Sequence, residues 1–449
     1  MYQKIFAKLI LITFVFSAFG CQRNGVFQSP TSTAPATLRD VAAVKLNFRF
    51  ETDVPAPTVS GQPAQSEERN AAIQSDFDQN RPQQLADKMI AAPNKQTVLV
   101  VYHKAEDAQG DFRLDMYSAA GKLLQKITHE GMAVHYPDTI VWSPDSANVA
   151  FTAKTRSGGQ AANQPNQTEN QPNAVPEANS NTNSNTETAN TNSTAPTPNQ
   201  AEPPQTVLTF RTEQIYICDS NGGGLKPITQ NEGLVYFYFV WSPDGAALAA
   251  LAATIQEWNF LQYQAESRKE LFVPAGRLRL VEKTGRERRL DDNLTTVRPV
   301  WSPDSSKVAD AFETQARIYD AIGDAPTQAA IPLRNQLLIS SKAFDEEAQR
   351  RSEQTANTNA QTNSNANQTA NTNANTNANT TVNQPIGTLP DPSQLVSFNP
   401  IISLEWTEDK MLYLQTGFIK LMQNEGDSAH SYLRWHRLIF SPQATAIGK

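Results

Sequence analysis

Three aspartates hold one place in a repeated phrase: Asp145, Asp244 and Asp304, each directly after Ser-Pro. Carboxylates at fixed positions suggest acid–base work. The residues before them suggest something plainer. Proline fixes φ at the first central position of a type I turn, and Ser and Asp side chains bond back to nearby backbone. A turn role outweighs a catalytic one. The five histidines, His103, His129, His135, His430 and His436, offer no pair at metal-ligand spacing. Gly222-Gly223-Gly224 lacks the Lys-Ser/Thr and following helix of a phosphate loop, so it reads as a turn. No Gly-x-Ser-x-Gly elbow is present. Cys21 and Cys218 are too few for a disulfide framework. Cys218, mid-strand between Ile217 and Asp219, reads as a buried, inert thiol. No catalytic, cofactor-binding or metal-binding residue is assigned.

The elements that carry these residues repeat. Val141-Trp142-Ser143-Pro144-Asp145-Ser146 returns as Val240-Trp241-Ser242-Pro243-Asp244-Gly245 and as Val300-Trp301-Ser302-Pro303-Asp304-Ser305. A looser copy is Glu405-Trp406-Thr407-Glu408-Asp409-Lys410, and Ala91-Ala92-Pro93-Asn94 is an eroded one. Apolar runs flank each turn, so each phrase is a hairpin, and its tryptophan can pack against the neighbouring hairpin. The segments 214–224 and 277–285 each read as a further strand ending in a Gly-containing turn, followed by a short edge strand at 225–229 and 288–290. The continuous apolar run Leu234–Val240 reads as an innermost strand. Four strands repeated head to tail are β-propeller blades.

The tryptophans serve as a ruler. Ala91 to Trp142 is 51 residues and Trp241 to Trp301 is 60, whereas Trp142 to Trp241 is 99 and Trp301 to Trp406 is 105. Each long interval holds one Asn/Thr-rich tract, at about 157–205 and 354–391. These tracts are expected to be disordered loop insertions within blades, since they cannot bury enough apolar area to offset chain ordering. Neutral loop expansion is favoured over a solvated, glycosylated brush or spacer. The fold class is therefore all-β, a propeller of five or six four-stranded blades over 85–449. The blade after Trp301 is atypical: 335–341 reads as a further strand and Asp345–Arg351 as a short helix. A sixth blade could draw on the 44–50 strand and the C-terminus.

With Trp-Ser-Pro-Asp at 142–145, 241–244 and 301–304, the repeat resembles that of TolB-like, WD-like propellers, over roughly the last four-fifths of the chain minus the insertions. The resemblance implies a scaffold of the bacterial envelope and little about ligand. It makes Trp142, Pro144, Asp145, Trp241, Pro243, Asp244, Trp301, Pro303, Asp304 and Trp406 architectural. Such propellers also precede serine peptidase domains, but no α/β-hydrolase sequence follows here. The expected function is a non-catalytic envelope lipoprotein acting as a protein- or ligand-binding scaffold. The alternative is an extracytoplasmic hydrolase or lyase, which needs His, Asp, Glu or Arg converging at the channel.

Residues 1–21 read as a signal peptide. Lys4 and Lys8 precede an apolar core over 9–16, too short to span a bilayer. Ala18-Phe19-Gly20-Cys21 is similar to a bacterial lipobox, with Cys21 the lipidated residue. The alternatives are a secreted protein with an unmodified cysteine or an uncleaved anchor. Under the lipoprotein sorting rule, Gln22 favours the periplasmic side of the outer membrane in a double-membrane bacterium. Residues 22–84 read as a tether with one strand at 44–50 and a short helix within Glu67–Asn80. A net charge of −7 argues against a nucleic-acid surface. The expected partners are the membrane, through the lipid, and an envelope protein, peptide or glycan; the chain is expected to be a monomer with no cofactor. Trp258, Phe260 and Tyr263 form an aromatic excursion, either an exposed recognition loop or, as favoured, a strand packed over the rim.

Overall fold

The turns set the frame. In the computed structural model, which describes residues 37–58, 69–108, 110–155, 213–323, 325–361 and 389–442, four of the five repeats close the same way. The amide of the fourth turn residue donates to the first carbonyl: Ser146 to Ser143, Gly245 to Ser242, Ser305 to Ser302 and Lys95 to Ala92, at 2.8–2.9 Å. That fourth residue is left-handed, with φ of 57–64°, the three-residue hairpin loop that follows a type I turn with an αL residue. Cys21, the tract at 157–205 and most of 354–391 lie outside the described residues.

Five antiparallel sheets follow from these turns. In chain order the elements are β1 (Leu46–Glu51), α1 (Ala71–Asn80), β2 (Gln84–Ala91), β3 (Thr97–Lys104), β4 (Arg113–Ser118) and β5 (Leu123–Lys126). Next come β6 (Met132–Ala133), β7 (Val141–Trp142), β8 (Asn148–Thr155), β9 (Gln214–Asp219) and β10 (Lys226–Pro227). Then β11 (Leu234–Trp241), β12 (Ala247–Thr254), α2 (Ile255–Arg268), β13 (Arg277–Glu282) and β14 (Glu287–Arg289). The last are β15 (Val300–Trp301), β16 (Lys307–Phe312), β17 (Gln315–Asp320), β18 (Gln328–Pro332), α3 (Arg334–Gln361), β19 (Ile401–Glu408), β20 (Met411–Lys420) and β21 (Ala429–Pro442).

The sheets run β2-β3-β4-β5, then β8-β9-β10 with β6 and β7 sharing the inner edge of β8, then β11 to β14, β15 to β18, and β19-β20-β21-β1. This is a β-propeller, with four strands in the radial path of each blade. The strand at 46–51, assigned from sequence to the tether, is the outer strand of the fifth blade, paired with β21 from Leu46↔Pro442 to Glu51↔Arg437. The two chain ends thus complete one blade and do not supply a sixth among the described residues.

Buried clusters join successive blades. Leu99 and Leu114 meet Trp142 and Phe151. Ile215 and Ile217 meet Tyr236 and Trp241. Leu251 and Leu278 meet Trp301 and Val308. Ala309 and Ile318 meet Leu404 and Trp406. The other face of the first blade, Val98, Val100, Tyr102 and Tyr117, is covered by Ile73 and Phe77 of α1. Among the described residues no buried cluster joins the fifth blade to the first.

Two sequence expectations are corrected. Residues 335–341 are helical, not a strand, and lie in α3, where Leu337 and Leu338 pack inward and Lys342–Glu346 and Arg351–Glu347 pair one turn apart. The helix also takes in the first residues of the second Asn-rich tract, through Gln361. The excursion at Trp258 is helix α2, neither loop nor strand. Thr254 caps it with a full capping box to Glu257.

Candidate functional site

In a four-stranded meander the inner strand's Ser-Pro-Asp turn and the third-to-fourth strand loop share one face. The second-to-third loops and the links between blades share the other. The first is called here the turn face and the second the excursion face. Thr37–Lys45 lie on the turn face: Leu38 N donates to Asp409, Arg39 to the carbonyl of Asp304, and Ala43 N to Asp320. Helix α2, the β20–β21 hairpin and the start of α3 lie on the excursion face, and β8 ends and β9 begins there.

The turn residues serve the fold. Ser242 and Ser302 hydroxyls donate to Asp244 and Asp304 at 2.6 Å, and Ser143 bonds Asp145 likewise. The same carboxylates accept the amides of Ala147, Ala246 and Ser306. Trp142, Trp241 and Trp301 each donate to the preceding blade's inner strand, at Ile90, Val141 and Val240, over 3.1–3.2 Å. Trp406 differs: it donates to Asp409 in its own turn. Pro144, Pro243 and Pro303 border the channel.

That channel holds a cavity of about 730 Å³. Its wall comes from blades two to five and, among the described residues, not from the first. Tyr238, Trp241, Trp301 and Trp406 give it aromatic surface, and its charged residues are Arg298 and Glu405. The Arg298 guanidinium lies 4.9 Å over the Tyr238 ring. Burial holds the Glu405 carboxyl above the usual carboxylate range. Burial also raises Tyr238, with Arg298 opposing and Glu405 adding to that shift. Sequence reasoning singled out neither Arg298 nor Glu405. The signal was present: the residue before each repeat tryptophan is Val141, Val240 or Val300, but Glu405 in the fifth blade. Three residues before the tryptophan stand Tyr238, Arg298 and Ser403, and strand alternation turns both positions toward the channel.

The histidines lie elsewhere. His135 sits between Asp111 and Glu213, each at 2.6 Å from one ring nitrogen. His436 is buried, its Nε2 3.0 Å from Thr416 Oγ1. Cys218 is buried, and burial pushes its thiol up to about 12. Among the described residues no three His, Cys, Asp or Glu are placed to hold a metal ion, and no helix is long and apolar enough to cross a membrane.

The aromatic excursion divides. Trp258 turns inward against Phe237 at 5.5 Å and Phe272 at 4.8 Å. Phe260 and Tyr263, one turn apart on α2, are 59% and 69% exposed. Beyond the helix the chain bonds to the β20–β21 hairpin: Leu271 N donates to Leu421 O, and Gln423 N to Lys269 O. Helix α2 of the third blade and the hairpin of the fifth are thus tied together past the tight Glu313-Thr314 turn of the fourth. Leu271, Val273, Phe418, Ile419, Leu421 and Leu433 are exposed on these two excursions.

No known protein-family profile matches the chain, and no curated relative does. Among solved structures, an oligogalacturonate lyase of Vibrio parahaemolyticus is similar at 10% identity over 55% of this chain and 54% of that one, with a TM-score of 0.28. A TolB candidate of Agrobacterium tumefaciens is similar at 13% identity over 53% and 62%, TM-score 0.23. The dipeptidyl peptidase 4 of Porphyromonas gingivalis is similar at 10% over 53% and 25%, TM-score 0.29. The chain thus spans about half of the lyase and a quarter of the peptidase. Likeness at this level says nothing of activity; the propeller rests on the five sheets and their tryptophan bonds.

Proposed function

We propose that this chain is a non-catalytic, lipid-anchored protein of the bacterial envelope, on the periplasmic side of the outer membrane, whose propeller is a scaffold for a protein partner. The observation that carries this reading is the meeting of α2 and the β20–β21 hairpin on the excursion face, where large apolar side chains stand exposed. Apolar surface of this kind favours a partner that removes it from water.

A photo-crosslinking residue at Tyr263, in intact cells, should capture a specific protein, whereas one at Lys122 on the turn face should not. Equal capture at both positions would count against the surface. Cys21→Ser should release the chain from the membrane fraction; unchanged attachment would remove the lipoprotein half of the proposal.

The rival reading, an extracytoplasmic hydrolase or lyase, is favoured only by Glu405, the one carboxylate bordering the channel cavity among the described residues. Turnover of a peptide or sugar polymer by the purified chain, abolished by Glu405→Gln, would establish it.

A further inference from the structure

Among the described residues many half-buried charges are matched, though the buried Asp310 keeps one oxygen without a partner. Arg277 pairs with Glu257, Arg81 with Asp115, Arg113 with Asp107, Lys307 with Asp320 and Arg434 with Asp53. The channel breaks the pattern. Arg298 and Glu405 border the same cavity with opposite charges, yet no ion pair or hydrogen bond joins either side chain to any described residue. The hydroxyl of Tyr238, between them electrostatically, is likewise without a hydrogen-bond partner.

The scaffold holds the two apart. Arg298 precedes Pro299 and is laid over Tyr238 of the third blade. Glu405 stands on β19 of the fifth, its backbone fixed opposite Tyr413. One side chain comes from the fourth blade and one from the fifth, and both border one cavity without pairing. A guanidinium and a carboxylate kept open across an aromatic cavity are complementary to a ligand carrying both opposite charges. An Arg fork donates two parallel hydrogen bonds to a carboxylate, and a carboxylate accepts hydrogen bonds from an ammonium. Trp241, Trp301 and Pro303 supply an apolar wall for a side chain between the two ends.

We propose that the channel binds a zwitterion of the amino-acid or short-peptide class, its carboxylate on Arg298, its ammonium on Glu405 and an apolar side chain against the tryptophan wall. The site is separate from the apolar excursion face and stands whether or not a protein docks there. The raised carboxyl of Glu405 fits a group that becomes fully ionised when a cation arrives.

The test uses the full chain in detergent, with leucine, dileucine and trileucine as probes and tryptophan emission as readout, since Trp241, Trp301 and Trp406 border the cavity. At least one probe should give a saturable change. N-acetylation or C-amidation of that probe should each weaken binding about tenfold or more, the size of a lost charge-assisted bond. In Glu405→Gln acetylation should cost nothing further, and in Arg298→Gln amidation should cost nothing further. The length of the best probe separates a free amino acid from a peptide. The proposal is overturned if no probe saturates by about 10 mM, if capped and uncapped probes bind alike, or if both variants weaken all forms equally. Crosslinking at Tyr263 in the same variants reports on the excursion face alone, so a failure there and a failure here are distinguishable.

Discussion

The indole N–H of Trp301 donates to the carbonyl of Val240 at 3.1 Å, tying the fourth blade to the inner strand of the third. Trp241 to Val141 and Trp142 to Ile90 repeat the bond. Each acceptor is the residue before the tryptophan position of the preceding repeat, a position that Ala91 fills in the first. By that rule Ala91 of the first blade would reach for Glu405 of the fifth, and alanine has no indole. The one repeat that lost its tryptophan is the one whose outer neighbour is α1 and not a blade.

Trp241→Phe keeps most of the packed ring and removes the bond to the Val141 carbonyl. The expected loss is about 0.5–1.5 kcal/mol. Trp241→Ala should cost about 3–5 kcal/mol. Urea unfolding of the two variants checks both figures. Equal losses would mean that packing alone carries the contact.

If α1 stands in for a neighbouring blade, damage to it should stay local, as it does when the cap of a repeat array is removed. Phe77→Ala deletes a buried ring that packs against Tyr102 and Tyr117 and lies 4.8 Å from the Arg81 guanidinium. The expected cost is about 3–5 kcal/mol. Hydrogen exchange should rise in β3 and β4 and stay near wild type in β16 and β17. A uniform rise across all blades would show that α1 supports the whole ring.

Much of this was legible in the sequence because propellers repeat. The tryptophan ruler found five hairpins, and Leu234–Val240 read correctly as an inner strand. The strand at 44–50 was visible, and so was its possible union with the C-terminus, but as a sixth blade; the blade that it completes is the fifth. Helix α2 was missed although Thr254-x-x-Glu257 is a capping box, because Trp258, Phe260 and Tyr263 are residue types that favour strands. In α3 the apolar cluster at 337–339 suits a strand as well as a helix. Glu405 was readable only as a departure from valine. Arg298 was not marked at all: a charged residue three before a tryptophan gains meaning once the ring turns that position inward.

His436 should make the protein acid-sensitive. Its ring is fully buried, Nδ1 accepts the Asp53 amide at 3.4 Å, and burial, aided by Arg434, lowers it from 6.5 to about 4. The unfolded chain takes up the proton first as pH falls. The contribution is therefore complete above about pH 6.5 and lost as pH drops toward 4, at most about 3 kcal/mol. His436→Gln should flatten that part of the stability–pH curve, measured by urea unfolding at intervals from pH 7 to 4. An unchanged slope would place the acid sensitivity elsewhere.

Glu257 joins the fold of α2 to the proposed binding surface. Its carboxylate accepts the Thr254 amide at 3.0 Å and both Arg277 nitrogens at 2.7 Å. Those Arg277 bonds, before any other favourable contact, hold it down at about 2, against an ordinary 4.5. A depressed carboxyl stabilises the fold above about pH 4.5 and loses that effect as pH falls toward 2. Glu257→Gln should thus cost about 1–3 kcal/mol at pH 7, with the gap to wild type narrowing below pH 4.5. Thr254→Ala, which removes a neutral cap, should cost about 1 kcal/mol with a weaker pH dependence. Because α2 carries Phe260 and Tyr263, both variants should raise hydrogen exchange over Ile255–Arg268 and weaken partner capture at Tyr263. Faster exchange with undiminished capture would separate the helix from the surface it presents.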